Sequence, residues 1–116
     1  MIDFMATFVD ITGADYPTEF NDQQITPMQG QSLLPVFKGE NVERENPIFW
    51  EWRRGQAVYS DSWKIVKDGL DNPWELYNIE NDPTETKNLG TENPEKVKEL
   101  DQLFNNWKSN LPDYSK

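Results

Sequence analysis

Residues 48–78, IFWEWRRGQAVYSDSWKIVKDGLDNPWELYN, concentrate the aromatic and β-branched residues of this 116-residue chain. Four short runs within them have the composition of β-strands and are separated by turn residues, at 48–52, 56–60, 63–67 and 74–78. The connections between the first three runs are only two or three residues long, so neighbouring strands must be antiparallel. The stretch therefore predicts a four-stranded antiparallel meander.

Side chains alternate between the two faces of a strand, and this alternation predicts that the sheet has a single aromatic face. We expect that face to combine residues of the first, third and fourth strands, namely Ile48, Trp50, Trp52, Trp63, Ile65, Trp74 and Leu76.

A helix is predicted after the strands. Asn93 is a suitable N-cap, Pro94 suits the first helical position, and Glu95 complements the helix dipole. One apolar stripe follows at helical spacing, formed by Val97, Leu100, Leu103, Phe104, Trp107 and Leu111. We expect this helix to lie across the aromatic face of the sheet, which makes the fold α+β.

The first part of the chain has a different character. Apolar residues recur at helical spacing from Ile2 to Val9, and Gly13 stands where a left-handed helix terminator is expected. Proline and glycine then interrupt residues 15–47, which predicts a long connection with one apolar segment at 32–37, where Ser32 can cap a single helical turn. A chain that opens on such an apolar helix is expected to be part of a larger structure.

Composition excludes several classes of function. The chain has no Cys and no His, so it contains no disulfide, no thiol nucleophile and no imidazole base. Eleven basic and twenty-one acidic residues give a net charge of −10, which argues against binding to nucleic acid or to anionic lipid. No run of residues is apolar enough for a membrane span, and no secretion signal follows Met1.

Three groups of motifs together resemble the C-terminal region of arylsulfatase-type sulfatases. The first joins the helix at 2–14 to GQSLLPVFKGE at 30–40. The second comprises IFWEW, QAVY and WKIV, and the third comprises WELYN and DPTETKNL. Their order and spacing resemble the family's pattern over almost the whole chain.

This resemblance implies a division at residue 47. Residues 1–46 are the expected tail of a large catalytic α/β domain, and residues 47–116 are the expected C-terminal sulfatase subdomain. In the family, the nucleophile is a formylglycine made from the Cys or Ser of a C/S-x-P-x-R motif, assisted by Lys and His beside a Ca²⁺ held by Asp and Asn. None of that motif occurs here.

We therefore expect a sulfatase fragment without catalytic residues, metal site or cofactor of its own, inactive when isolated. Its parent is a sulfuric ester hydrolase that uses Ca²⁺ and formylglycine and is periplasmic or secreted. The expected partners are the missing catalytic domain and, through it, a sulfated small molecule or glycan. Without that domain, the first helix and the proline-rich connection are expected to expose apolar surface and either self-associate or fray.

Trp52 and Arg53 are the candidate residues for the rim of the parent's substrate pocket. An indole can stack on a ring, and a guanidinium can attract sulfate. The alternative is a strand end packed on its neighbours, followed by a solvated turn. Family members commonly have His after the Trp-Glu pair and then Glu-Gly-Asn-Arg, whereas Trp52-Arg53-Arg54-Gly55-Gln56 stands here.

Three further patterns admit two interpretations each. The acidic run at 80–85 suggests a metal site, but a turn in which Asp82 bonds local backbone donors explains it more simply. Glu51 and Glu75 suggest a glycosidase pair, or merely exposed strand positions. The tryptophans suggest a carbohydrate-binding module if they form an exposed row, or a sulfatase subdomain if Trp63, Trp74 and Trp107 lie beneath the terminal helix.

Overall fold

The computed structural model describes residues 2–111 of the chain. They divide into two compact units, with the boundary between Asn46 and Pro47. No helix within residues 2–111 combines the length and the apolar character needed to cross a membrane.

The first unit begins with helix α1 (Ile2–Thr12), which ends as predicted at Gly13, where φ is 63°. Strands β1 (Glu19–Phe20) and β2 (Gln23–Gln24) follow, and then the single turn of α2 (Leu34–Phe37). The hairpin of β1 and β2 was not predicted, because strands of two residues are too short to show an alternation. The N-cap of α2 is Leu33, not the predicted Ser32, and it makes no side-chain cap; the hydroxyl of Ser32 accepts a hydrogen bond from the Leu34 N–H at 3.1 Å from one position earlier.

Polar contacts hold α1 to the segments on both sides of α2. The carboxylate of Asp3 accepts hydrogen bonds from the backbone N–H of Gln31 at 2.8 Å and from Nη2 of Arg44 at 2.6 Å. Oγ1 of Thr7 accepts one from the Leu33 N–H at 2.9 Å. Of the residues in α1, only Ala6 and Thr7 are buried. The large apolar side chains of this helix are exposed, as expected, namely Ile2, Phe4, Met5, Phe8 and Ile11.

The second unit contains the predicted meander. Its strands are β3 (Ile48–Trp52), β4 (Gly55–Ser60), β5 (Trp63–Asp68) and β6 (Glu75–Asn78). They are hydrogen-bonded in the order β3-β4-β5-β6, and each pair is antiparallel. The α+β fold is therefore confirmed, and each strand boundary lies within one residue of its predicted position.

Helix α3 (Pro94–Ser109) packs on one face of this sheet, as predicted. The core beneath it consists of Val58, Ile65, Leu76, Leu100 and Phe104. Two details of the helix differ from expectation. Asn93 is the N-cap residue but makes no side-chain cap hydrogen bond; its amide nitrogen donates to the Leu89 carbonyl at 3.3 Å. Helix α3 ends before Leu111.

The prediction of a single aromatic face is wrong. Cross-strand pairing aligns Phe49, Val58, Ile65 and Leu76, so these four residues share the face under α3. Trp50 pairs with Ala57, which pairs with Val66, and this row faces away from the helix. We call this second surface the open face. The aromatic residues of the sheet are therefore divided between its two faces.

Candidate functional site

Trp52 and Arg53 lie together where β3 turns into β4. Trp52 pairs with Gly55, so Arg53 and Arg54 form a two-residue turn. The indole of Trp52 is 76% exposed and does not pack as a buried strand end. Cζ of Arg53 lies 5.8 Å from the centroid of that ring, within the range of a cation–π contact. The two candidates thus form one exposed surface of an aromatic ring and a cation.

The backbone of Arg53 has a φ of 56°, in the left-handed region that residues other than glycine adopt at a cost. A positive φ is the conformation that two-residue hairpin turns favour, and Asp61 and Ser62 adopt it in the β4–β5 turn as well. The turn is held by its neighbour, since the carbonyl of Arg54 accepts a hydrogen bond at 3.0 Å from the N–H of Gly69, in the β5–β6 loop.

Further cations belong to the same end of the sheet. Arg54 is exposed beside Arg53, and Nζ of Lys67 lies 4.6 Å from the centroid of the Trp74 ring. Asp68 pairs with Gly55 at the same end of the sheet, and Lys67 lies on the face under α3, so these cations do not form one surface with Trp52. Sequence reasoning missed Lys67, although pairing of Gln56 with Lys67 follows from the register of the β4–β5 hairpin.

The carboxylate of Glu51 lies on the α3 side of the sheet, where it forms an ion pair and a hydrogen bond. Its Oε1 accepts hydrogen bonds from Nζ of Lys108 at 2.5 Å and from Nε2 of Gln56 at 3.0 Å. The hydrogen bond from Lys108 lowers the pKa of the Glu51 carboxyl, and this effect outweighs partial burial, which raises it. This carboxylate is therefore an ion-pair partner of α3 and stays ionised.

Glu75 does not form a glycosidase pair with Glu51. It shares the open face with Val66, whereas Glu51 points toward α3, and the two strands are at opposite edges of the sheet. Three strand spacings separate them by about 14 Å, beyond the roughly 5–9.5 Å that glycosidases use. Oε2 of Glu75 instead accepts a hydrogen bond from the hydroxyl of Tyr77 at 2.7 Å.

The acidic run at 80–85 forms a turn. Oδ2 of Asp82 accepts hydrogen bonds from the backbone N–H groups of Thr86 and Lys87, both at 2.8 Å. The bond from Lys87 is the main reason that the pKa of Asp82 is lowered. Glu85 is paired with Nζ of Lys64 at 2.6 Å. Over residues 2–111, no three carboxylates converge as a metal ion requires.

Three tryptophans lie partly buried around the α3 side of the sheet, Trp63, Trp74 and Trp107. The ring of Trp107 stacks on Phe49 with centroids 5.0 Å apart and an interplanar angle of 5°. Nε1 of Trp74 donates to Oδ1 of Asp101 on α3 at 2.8 Å. Their arrangement is the one expected for a sulfatase subdomain, not an exposed row of coplanar rings.

Comparison with known proteins identifies a family for almost the whole chain. The family described as N-sulphoglucosamine sulphohydrolase, C-terminal, matches residues 1–111. A sulfatase of Formosa agariphila is 33% identical over 108 aligned positions, which cover 80% of this chain and 19% of that protein. An N-acetylglucosamine-6-O-sulfatase of Bacteroides thetaiotaomicron is 28% identical over 131 aligned positions, which cover 97% of this chain and 22% of that protein.

The fold also matches a solved structure. The structure of BT4656 in complex with its substrate D-glucosamine-2-N,6-O-disulfate superposes with a TM-score of 0.63 at 26% identity, covering 98% of this chain and 25% of that one. The chain spans about a fifth of the length of the curated relatives it matches.

Proposed function

The chain belongs to the family of N-sulphoglucosamine sulphohydrolase C-terminal domains, and we propose that it forms the C-terminal part of a longer enzyme that hydrolyses sulfate esters of sugars. The observation that carries this proposal is the family match over residues 1–111. Sugar substrates are supported by the relative named N-acetylglucosamine-6-O-sulfatase and by the structural neighbour bound to D-glucosamine-2-N,6-O-disulfate.

In this proposal, the reactive groups belong to the rest of the longer protein. Sulfate ester hydrolysis needs an activated nucleophile, and it needs cations around the sulfuryl oxygens. The chain contains neither a Cys nor a Ser-x-Pro-x-Arg motif from which a formylglycine is made. The residues present therefore do not fit the formylglycine and Ca²⁺ that the family resemblance implies, and we assign both to the preceding part.

The role proposed for Trp52 and Arg53 is to form part of the rim of the substrate pocket. The exposed indole offers a stacking surface for the apolar face of a sugar ring. The guanidinium offers two parallel N–H donors to a sulfate group, which a lysine ammonium does not.

Kinetics of the full-length enzyme test this role. We expect Arg53→Gln to raise KM for a sulfated sugar roughly tenfold, the loss of about 1.4 kcal/mol from a charge-assisted contact, with little change in kcat. Arg54→Gln is the matched control, since it removes the same charge from the same turn, and a smaller effect is expected. Unchanged Michaelis constants for Trp52→Ala and Arg53→Gln would remove both residues from the rim.

The assignment of the reactive groups to the preceding part of the protein is tested with the 116-residue chain itself. A single-turnover assay with an aryl sulfate is expected to show no hydrolysis, whereas the full-length protein is expected to turn the same ester over. Measurable hydrolysis by the pure chain would contradict the assignment.

From the resemblance alone we also propose that the longer protein is periplasmic or secreted, which cell fractionation tests.

A carbohydrate-binding module is the second candidate. The observation that favours it is the exposure of Trp50 and Trp52, two residues apart on the same face of β3. Such a module would bind unsulfated sugars without the rest of the longer protein. Titration of the 116-residue chain with neutral oligosaccharides, followed by tryptophan fluorescence, separates the two functions, since we expect no change for a sulfatase domain.

A further inference from the structure

The last turn of α3 holds the strand that carries the candidate rim residues. The side chains of Phe49 and Glu51 both point from β3 toward this helix. The ring of Phe49 stacks on Trp107 with centroids 5.0 Å apart, and Oε1 of Glu51 accepts a hydrogen bond from Nζ of Lys108 at 2.5 Å. Successive residues of the helix thus contact alternate residues of the strand.

Glu51 is the residue through which this contact reaches the β3–β4 turn. Its Oε1 also accepts a hydrogen bond from Nε2 of Gln56 at 3.0 Å, and Glu51 and Gln56 are paired directly across the two strands. The next pair along the strands, Trp52 and Gly55, closes the turn. The ion pair to Lys108 therefore acts on the residue that precedes both rim candidates.

The end of β3 needs restraint from outside the sheet, because β3 is an edge strand and β4 is its neighbour on one side. The indole of Trp52 lies on the face opposite α3 and is 76% exposed, so its own packing restrains the strand little. The turn is held at Arg54 by the hydrogen bond from Gly69 and, before the turn, at Glu51 by Lys108. Loss of either contact is expected to loosen the hairpin end.

The ion pair contributes to orientation more than to stability. The side chains of Lys108 and Glu51 are 48% and 27% exposed, and ion pairs of such exposure contribute little to the free energy of unfolding. The buried contacts of α3 come instead from Leu100 and Phe104. Without the ammonium, the ionised Glu51 keeps the amide of Gln56, and water competes for its carboxylate. The strand end then moves while the domain stays folded.

We propose that Lys108 is a positioning residue for the substrate rim, because by holding Glu51 it fixes the direction in which β3 presents Trp52 and Arg53 to a sulfated sugar. This inference rests on the proposed function. Lys108 does not contact the sugar itself. Its effect arises because loosely held groups must be ordered when the substrate binds, which weakens binding.

Kinetics of the full-length enzyme test the proposal, with the sulfated monosaccharide used for Arg53→Gln. We expect Lys108→Met to raise KM roughly three- to fivefold, less than Arg53→Gln, with little change in kcat, since the rim groups remain but are less well held. Lys108→Arg keeps a cation within reach of Glu51 and is expected to restore KM. Lys96→Met is the matched control, because Lys96 pairs at 2.8 Å with Glu99 of the same helix, and no change is expected.

A second set of variants tests whether the effect passes through the rim. In an enzyme that already carries Trp52→Ala and Arg53→Gln, Lys108→Met is expected to raise KM no further, because no rim group is left to position. Combined with Glu51→Gln, it is expected to add nothing to the effect of Glu51→Gln alone. A full additional increase in either background would show that Lys108 acts elsewhere and would overturn the proposal.

The thermal midpoint separates positioning from stability. We expect Lys108→Met to leave the midpoint of the full-length enzyme nearly unchanged. A large fall in the midpoint, with kcat and KM both impaired and no rescue by Lys108→Arg, would show a structural role and would overturn the proposal.

The remaining outcomes separate this inference from its premise. If Arg53→Gln raises KM and Lys108→Met does not, the positioning role is wrong and the proposed rim stands. If neither Trp52→Ala nor Arg53→Gln changes KM, the rim and the inference are both wrong. A full-length protein without sulfatase activity removes the proposed function and the inference together.

Discussion

Tyr77 and Glu75 form a hydrogen-bonded pair that responds to alkaline pH. The hydrogen bond to Glu75, with burial and nearby carboxylates, raises the pKa of Tyr77 from 10.0 to about 12. Because the folded-state pKa is the higher one, the pair contributes stability that is complete below pH 10 and is lost as pH rises toward 12. Absorbance titration at 295 nm should show part of the tyrosine transition moving to lower pH in Glu75→Gln. An unchanged titration would contradict the hydrogen bond.

Arg53 offers a second test at the level of one residue. The left-handed conformation costs a non-glycine residue about 1–2 kcal/mol, and the flexibility of glycine in the unfolded chain costs about 0.5–1 kcal/mol. Arg53→Gly should therefore raise the free energy of unfolding by up to about 1.5 kcal/mol. Arg54→Gly, in the same turn but without a positive φ, should lower it. Denaturant titration measures both, and equal effects would show that no strain is stored at Arg53.

Among the elements, α3 is fixed to the sheet mainly through its buried side chains. Phe104 is only 2% exposed and contacts both Trp74 and Trp107. Phe104→Ala should lower the free energy of unfolding by about 3–5 kcal/mol, the usual cost of removing a buried aromatic ring. All five tryptophans lie between residues 50 and 107, so tryptophan fluorescence reports on this unit. Leu70→Ala is the control within the same unit, since Leu70 is 57% exposed, and a comparable loss there would contradict the packing argument.

The four strands of the meander and α3 were predictable from the sequence, whereas the β1–β2 hairpin and the face that β3 turns toward α3 were not. Period-two and helical patterns located the four strands and α3, because each pattern is local to its own segment. The length of the β3–β4 turn sets the register between these two strands, and the register decides which face of β3 lies under α3. Counting Gly55 as a third turn residue shifts the β3–β4 pairing by one and moves Trp50 to the face under α3. Trp52 and Arg53 were proposed as rim residues from the family resemblance around residues 50–56, whereas locating Lys67 at this end of the sheet required knowledge of how β4 and β5 pair.

At the scale of the whole molecule, the two units bury very different amounts of apolar surface. In the first unit, the buried residues are Ala6 and Thr7, and polar contacts from Asp3 connect α1 to the following segment. In the second unit, side chains from three strands and from α3 form a continuous core. Since burial of apolar surface is the main stabilising contribution to folding, the second unit has the stability of a small domain and the first does not.

This difference predicts that residues 47–116 fold without the first unit. The five core residues Val58, Ile65, Leu76, Leu100 and Phe104 all belong to that range, as does the Lys108–Glu51 ion pair. A domain of about 70 residues is small but sufficient when a helix covers a complete sheet face. Residues 47–116 should therefore unfold in one cooperative transition by tryptophan fluorescence and give dispersed amide resonances, whereas residues 1–46 alone should give little helical circular dichroism. A gradual, non-cooperative fluorescence change in the shorter protein would show that the sheet and α3 do not form an independent folding unit.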